Sequence, residues 1–211
     1  AGPDGYVLRV VFLDGDYQQH ADLVSQIPQH VRFFEELLGP YPFRADKFAT
    51  VQAPYLGMEH QSCIAYGALP GFNYGGYTEF DGLHLHELAH EWWGNMIMVS
   101  DWKDFWLHEG FATYMEALYA EHLNGEQSYL KVVNRFAGST RNIMPIAPTE
   151  SRSTQEMYGG DIYFKGAAVL HTLRYVLGDE HFFELLERFL YPTPELKNAT
   201  DGLHCRLVDT N

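Results

Sequence analysis

The order of residue patterns predicts an α+β fold, with strands first and helices after. Three observations carry that reading. Short strand-type runs are confined to the early part of the chain. Helical periodicity dominates from about residue 78 onward. A chain of 211 residues, 46% hydrophobic and 20% charged, can also bury a core without disulfide or metal staples. Aromatic residues make up 15%, so that core is expected to be rich in rings.

Each element follows from its local pattern. Residues 6–13 read as a strand. Residues 29–38 place Val31, Phe34, Leu37 and Leu38 on one side of a helix. Pro28 suits the first turn of that helix, Gly39-Pro40 ends it, and an earlier turn from about Tyr17 can extend it. Residues 48–52 and 58–66 read as strands separated by Ala53-Pro54, and the glycines of LPGFNYGGY mark a loop. Helices are then expected over 78–96, from Trp106 to the Asn124-Gly125 cap pair, over 128–136, and over 163–177 with Gly178 as its stop. Asp179 is expected to cap a further helix that ends before Pro192, and IMPIAPTESRS is irregular.

The formal charge is −14, from 28 acids against 14 bases, which argues against a nucleic-acid partner. Two cysteines, Cys63 and Cys205, make no disulfide framework. No run approaches the ~20 apolar residues of a membrane span, and no signal peptide is visible. The chain opens in a turn and stops inside a possible helix, which reads as an excised domain and leaves the compartment open.

Residues 83–95, LHLHELAHEWWGN, crowd His84, His86, Glu87, His90 and Glu91 into an otherwise apolar and aromatic segment. On a helix His86 and His90 share a face one turn apart, so two neutral imidazoles can bind one zinc ion. Glu87 projects about 100° round the helix, which suits a general base acting on water beside the metal. Eighteen residues separate His90 from Glu109 in WLHEGFATYME. An antiparallel second helix could bring Glu109 in as third ligand, completing two histidines, one glutamate and one water. Glu116 lies two turns on from Glu109 and could orient a zinc-binding histidine.

An H-E-x-x-H pattern, eighteen residues and a glutamate resemble the gluzincin zinc aminopeptidases typified by aminopeptidase N and leukotriene hydrolase. GMEH, Gly57 to His60, looks like that family's G-x-M-E-N exopeptidase signature, and YFKGA, Tyr163 to Ala167, looks like its Y-x-K-G segment. These motifs follow the family's order and span Gly57 to Ala167, about half the chain. His60 and His108 depart from the family's usual asparagines. The resemblance implies a thermolysin-like catalytic domain, a small mixed sheet packed against a mainly helical lobe. It assigns residues 17–211 to that domain, truncated at its C-terminus, and residues 1–16 to a linker or the end of a truncated N-terminal β domain. It further implies a zinc aminopeptidase acting on peptides with a free N-terminus. Glu59 would bind the α-ammonium, Tyr163 would help zinc hold the oxyanion, and the backbone of Gly57 and Met58 on a strand edge could pair with the peptide. An endopeptidase, an epoxide hydrolase or an inactive zinc-stabilised module on the same scaffold are the alternatives.

Other conspicuous residues have plainer readings. His84 is expected to be solvated or capping, and Trp92, Trp93, Trp102 and Trp106 to pack in the core. Tyr158 lacks the following Lys-Gly, and Lys165 is expected to pair with an acid near its helix start. His20, His30, His122, His171, His181 and His204 show no ligand spacing.

Overall fold

The computed structural model describes residues 6–13 and 15–210, so part of the 1–16 segment lies outside the described residues. Two compact units divide the chain. One runs to Met96 and adds Thr193–His204; the other comprises Ile97–Pro192 and the residues from Cys205 on.

The first unit is built on a four-stranded sheet. Strand β1 (Leu8–Val11) leads through a 3-10 turn (Tyr17–His20) into α1 (Ala21–Leu38), followed by β2 (Phe48–Gln52), β3 (Gly57–Met58), β4 (Ile64–Tyr66) and α2 (Gly82–Ala89). The strand order is β1-β2-β4-β3. β1 and β2 pair in parallel with Leu8 opposite Phe48, β2 and β4 in parallel with Thr50 opposite Ile64, and β3 runs antiparallel to β4. β3 is therefore an edge, as GMEH was expected to be. Residues 58–66 do not form the one strand expected of them. Ser62 adopts φ 57° and the chain folds back, so two short strands replace one.

α1 is amphipathic and buries Leu23, Ile27, Val31, Phe34 and Leu38, a helical stripe. Its start lies well before residue 29, so Pro28 falls inside the helix instead of in its first turn. Gly39, at φ 97°, stops it as expected. Phe34 and Tyr41 meet the buried Trp92 ring at 5.5 and 6.1 Å, and Tyr41 also meets Phe48 at 5.6 Å. The aromatic share of the sequence thus does supply this core.

The second unit is mainly helical. It begins with β5 (Ile97–Val99) and contains α3 (Trp106–Asn124), α4 (Glu126–Ser139), α5 (Thr154–Met157), α6 (Gly160–Leu177) and α7 (Asp179–Leu190). After α8 (Pro194–Lys197), which belongs to the first unit, β6 (Arg206–Val208) pairs in parallel with β5. α3 is buried at every position from Trp106 to Ala120, so it is the central helix of its unit. Gly125, at φ 77°, ends α3 where the cap pair was read, and the N–H of Gly125 donates to the carbonyl of Glu121 at 2.7 Å.

α6 crosses α3 at a pair of glycines. A Cβ on Gly110 would lie 2.8 Å from Gly166 Cα, and one on Gly166 would lie 2.7 Å from Gly110 Cα. Backbone meets backbone there, which only glycine permits at this separation. α6 starts three residues before the expected 163, so Tyr163 is inside the helix. Asp179 does not cap α7: Gly178 holds that position, and the Asp179 carboxylate accepts from Arg174 Nε and Nη2 at 2.8 and 2.9 Å. Lys165 donates to the carbonyl of Met144 at 2.8 Å and is drawn electrostatically to Asp161. Among the described residues no helix is long and apolar enough to cross a membrane.

Candidate active site

α2 carries the first group of site residues. Asp81 caps it by accepting from the backbone N–H of His84 at 2.9 Å. All eight residues of the helix are buried. The helix was expected to continue to Met96 but ends at Ala89. Beyond it, Asn95 N–H and Met96 N–H reach back to the carbonyls of His90 and Glu91 at 2.8 and 3.1 Å, wider turns than an α-helix makes. His90 keeps helical backbone angles as the cap residue (φ −63°, ψ −17°), so the four-residue spacing still sets it beside His86.

The two imidazoles face each other through Nε2 atoms 3.2 Å apart. The other nitrogen of His90, Nδ1, lies 3.0 Å from the Trp93 carbonyl. A carbonyl can only accept, so Nδ1 carries the proton and Nε2 presents a lone pair. Two nitrogens about 2.0–2.1 Å from one tetrahedral zinc stand roughly 3.3 Å apart. The pair therefore fits such an ion in donor type, tautomer and spacing.

Glu87 and Glu59 belong to the same group. Ligand atoms of Glu59, Glu87 and His90 all lie within 4.8 Å of one another. β3 passes directly over Glu87: a Cβ on Gly57 would fall 2.4 Å from Glu87 Oε1. Glycine at position 57 is what lets the edge strand lie on the carboxylate, while Met58, which follows, is exposed.

α3 and α6 carry the second group. Glu109 is buried in the first turn of α3. The Tyr163 hydroxyl hydrogen-bonds with Glu109 and with Tyr158, and burial together with the Glu109 charge holds its pKa well above the usual phenol value. The Gly110–Gly166 contact, one residue after Glu109 and three after Tyr163, brings the two helices close enough for that bond. Glu116 is buried further along α3, not at the surface. Tyr158 is half exposed, with its ring 6.5 Å from that of Tyr163. His108 Nε2 accepts from the N–H of Val99 at 3.0 Å, tying α3 to β5.

Several functional contacts were not read from the sequence. His84 is fully buried instead of solvated: its Nδ1 faces His30 Nδ1 at 3.1 Å and its Nε2 faces Thr50 Oγ1 at 3.1 Å. Burial lowers its pKa to about 3, so both rings stay neutral and α2 is pinned to α1 and β2. Glu91 is also fully buried, and burial pushes its carboxyl up to about 8. The glycines of the α3–α6 crossing carried a usable signal, since glycine inside a helix costs about 1 kcal/mol and asks for a packing reason. Trp92 and Trp93 are fully buried and Trp106 is buried, but Trp102 is 44% exposed.

Residues 28–203 match the peptidase family M1 domain. Human endoplasmic reticulum aminopeptidase 2 is 38% identical over 120 residues, covering 50% of this chain and 12% of that protein. Rabbit (Oryctolagus cuniculus) aminopeptidase N is 33% identical over 118 residues, again 50% of this chain and 12% of that protein. The M1 zinc metallopeptidase from Deinococcus radiodurans superposes with a TM-score of 0.66 at 25% identity, covering all of this chain and 41% of that one. Native yeast LTA4 hydrolase shares the fold alone, with a TM-score of 0.72 at 18% identity over 95% of this chain and 32% of that one. The chain thus spans only a small part of the curated relatives it matches. With 176 of its 211 residues inside one family domain, the α+β chain belongs to peptidase family M1.

Proposed function

We propose that this chain carries the catalytic centre of a zinc aminopeptidase, which removes the N-terminal residue from peptides with a free α-amine. The observation that carries the reading is the facing pair of His86 and His90 nitrogens, with the His90 tautomer set by the Trp93 carbonyl. In this reading His86, His90 and Glu109 hold one zinc ion. Bound there, zinc supplies a Lewis acid that polarises the scissile carbonyl and acidifies water.

The remaining roles fall to the chain's own side chains. Glu87 takes the proton of the attacking water and delivers it to the leaving amine. The Tyr163 hydroxyl, held protonated by burial and by Glu109, donates a hydrogen bond to the oxygen that gains charge in the transition state. Glu59 pairs with the substrate α-ammonium, so cleavage falls after the first residue. The open edge at Gly57 and Met58 pairs with the extended peptide main chain. Glu116 orients a zinc-binding histidine. A carboxylate at Glu59 blocks the space that an endopeptidase needs for residues ahead of the cleaved bond, which separates the two readings.

A panel of aminoacyl fluorogenic amides, beside N-acetylated controls, tests this on the full-length protein. Free-amine substrates are expected to be cleaved and the acetylated ones to be very poor. Equal cleavage of both would make the enzyme an endopeptidase. Metal analysis is expected to give one zinc per chain, lost in His90→Ala; stoichiometric zinc in that variant would overturn the ligand assignment.

A further inference from the structure

Glu59 stands just past the end of the β3–β4 ladder, which joins only Gly57 to Tyr66 and Met58 to Ala65. Strand pairing therefore does not fix its position. Two side chains from the turn after α2 do. Asn95 Nδ2 donates to the Glu59 carbonyl at 2.9 Å. Glu91 Oε1 accepts from the N–H of Ser62 at 2.7 Å, where the chain reverses at φ 57°. The two clasps touch each other, since Asn95 Nδ2 also lies 3.4 Å from Glu91 Oε2. Asn95 is itself anchored to the histidine turn, its N–H donating to the His90 carbonyl at 2.8 Å. An unbroken chain of hydrogen bonds thus runs from the His90 main chain to the main chain of Glu59.

We infer that Asn95 and Glu91 are specificity-positioning residues: they set the distance between the metal-binding histidines and the carboxylate that reads the substrate amine. The inference rests on the aminopeptidase reading above. Its physical basis is that a carboxylate selects an ammonium only when held at one separation from the reacting carbonyl, because an ion pair weakens with distance and with the freedom of its partners. Neither residue touches substrate. Each acts through the backbone of the segment 59–62.

The test uses the full-length enzyme carrying Asn95→Ala, with Asn95→Asp as a variant that keeps the size and loses the donor. For each, KM and kcat are measured on a free-amine aminoacyl amide, and kcat/KM on its N-acetyl counterpart, with zinc content recorded. KM for the free-amine substrate is expected to rise about fivefold, roughly the worth of one hydrogen bond. kcat is expected to change less than KM, the acetylated substrate to be unaffected, and zinc to stay stoichiometric. The preference for a free amine then falls by the same factor. Parallel loss on both substrates, or lost zinc, would mean that Asn95 serves only the general integrity of the turn, and the inference would be wrong. Glu59→Ala separates the two levels. If it leaves the free-amine preference intact, Glu59 does not read the amine and the inference falls with that role, whereas equal cleavage of both substrates by the wild-type enzyme would sink the aminopeptidase reading itself. If Glu59→Ala abolishes the preference while both Asn95 variants keep it, only the positioning role fails.

Discussion

Glu87 sits on a helix of eight residues held mainly by polar cross-ties, whereas Glu109 sits on a helix of nineteen that meets its neighbour α6 backbone to backbone. Around α2, Asp81, the His84–Thr50 and His84–His30 bonds, and the Trp93 carbonyl each fasten one point. Around α3 the first turn is placed by a glycine meeting a glycine, with the His108–Val99 and Trp106–Thr210 hydrogen bonds beside it. The difference teaches that a buried charge can be aimed in two ways. Hydrogen bonds aim it point by point and tolerate an interrupted helix. Close packing aims it through the rigidity of two long helices, and at this crossing it also brings the Tyr163 hydroxyl to Glu109.

The largest expected effect falls on the short helix. Glu87→Gln keeps the fold and the zinc, since the amide fills the same space, but it cannot take a proton from water. Its kcat is expected to fall by about 100- to 10,000-fold. A variant retaining more than about a tenth of wild-type kcat would remove Glu87 from the general-base role.

On the long helices, Tyr163→Phe is expected to lower kcat by about 100- to 1000-fold with little change in KM, because in the proposed mechanism the hydroxyl acts on charge present only in the transition state. Tyr158→Phe is expected to do little. Steady-state kinetics of the two variants decide between the tyrosines, and the reverse pattern would exchange their roles.

The comparison itself is sharpest at the glycines. In Gly57→Ala the new methyl meets the tip of a side chain, Glu87 Oε1, which can swing aside. Little stability is lost, but a displaced general base is expected to lower kcat/KM by about 100-fold. In Gly110→Ala the methyl meets the backbone of Gly166 and the Ile162 carbonyl, which cannot move alone. That variant is expected to lose about 1–3 kcal/mol of stability and a smaller share of its activity. Urea unfolding and kcat/KM measured on both variants would show the crossover, and a common ranking in both assays would erase the distinction drawn here.

Much of this was legible in the residues. α3 begins and ends where the pattern placed it, because Trp106 opens its apolar stretch and Gly125 supplies the stop. The facing of His86 and His90 was legible because a four-residue spacing survives even at a helix end. The end itself was misplaced: past Ala89 the chain leaves the helix through wider turns to Gly94, at φ 151°, and Asn95 is then held by the distant Glu59 carbonyl. His84 was misread because its partners, His30 and Thr50, are 54 and 34 residues away. Pairing over that distance leaves no local trace. The same holds for Glu91, which was given no role and whose partner Ser62 lies 29 residues away.

The bond from His90 Nδ1 to the Trp93 carbonyl also bears on how the protein would endure losing its ion. In small zinc-built domains the metal is the fold, and a chelator unravels them. Here the ring is moored by the main chain in the turn just past α2, a helix itself anchored by Asp81, Thr50 and His30. Chelation is therefore expected to silence the enzyme while leaving its far-UV circular dichroism intact, and added zinc to restore activity at the pace of diffusion, with no refolding lag. The histidine keeps its berth between one ion and the next.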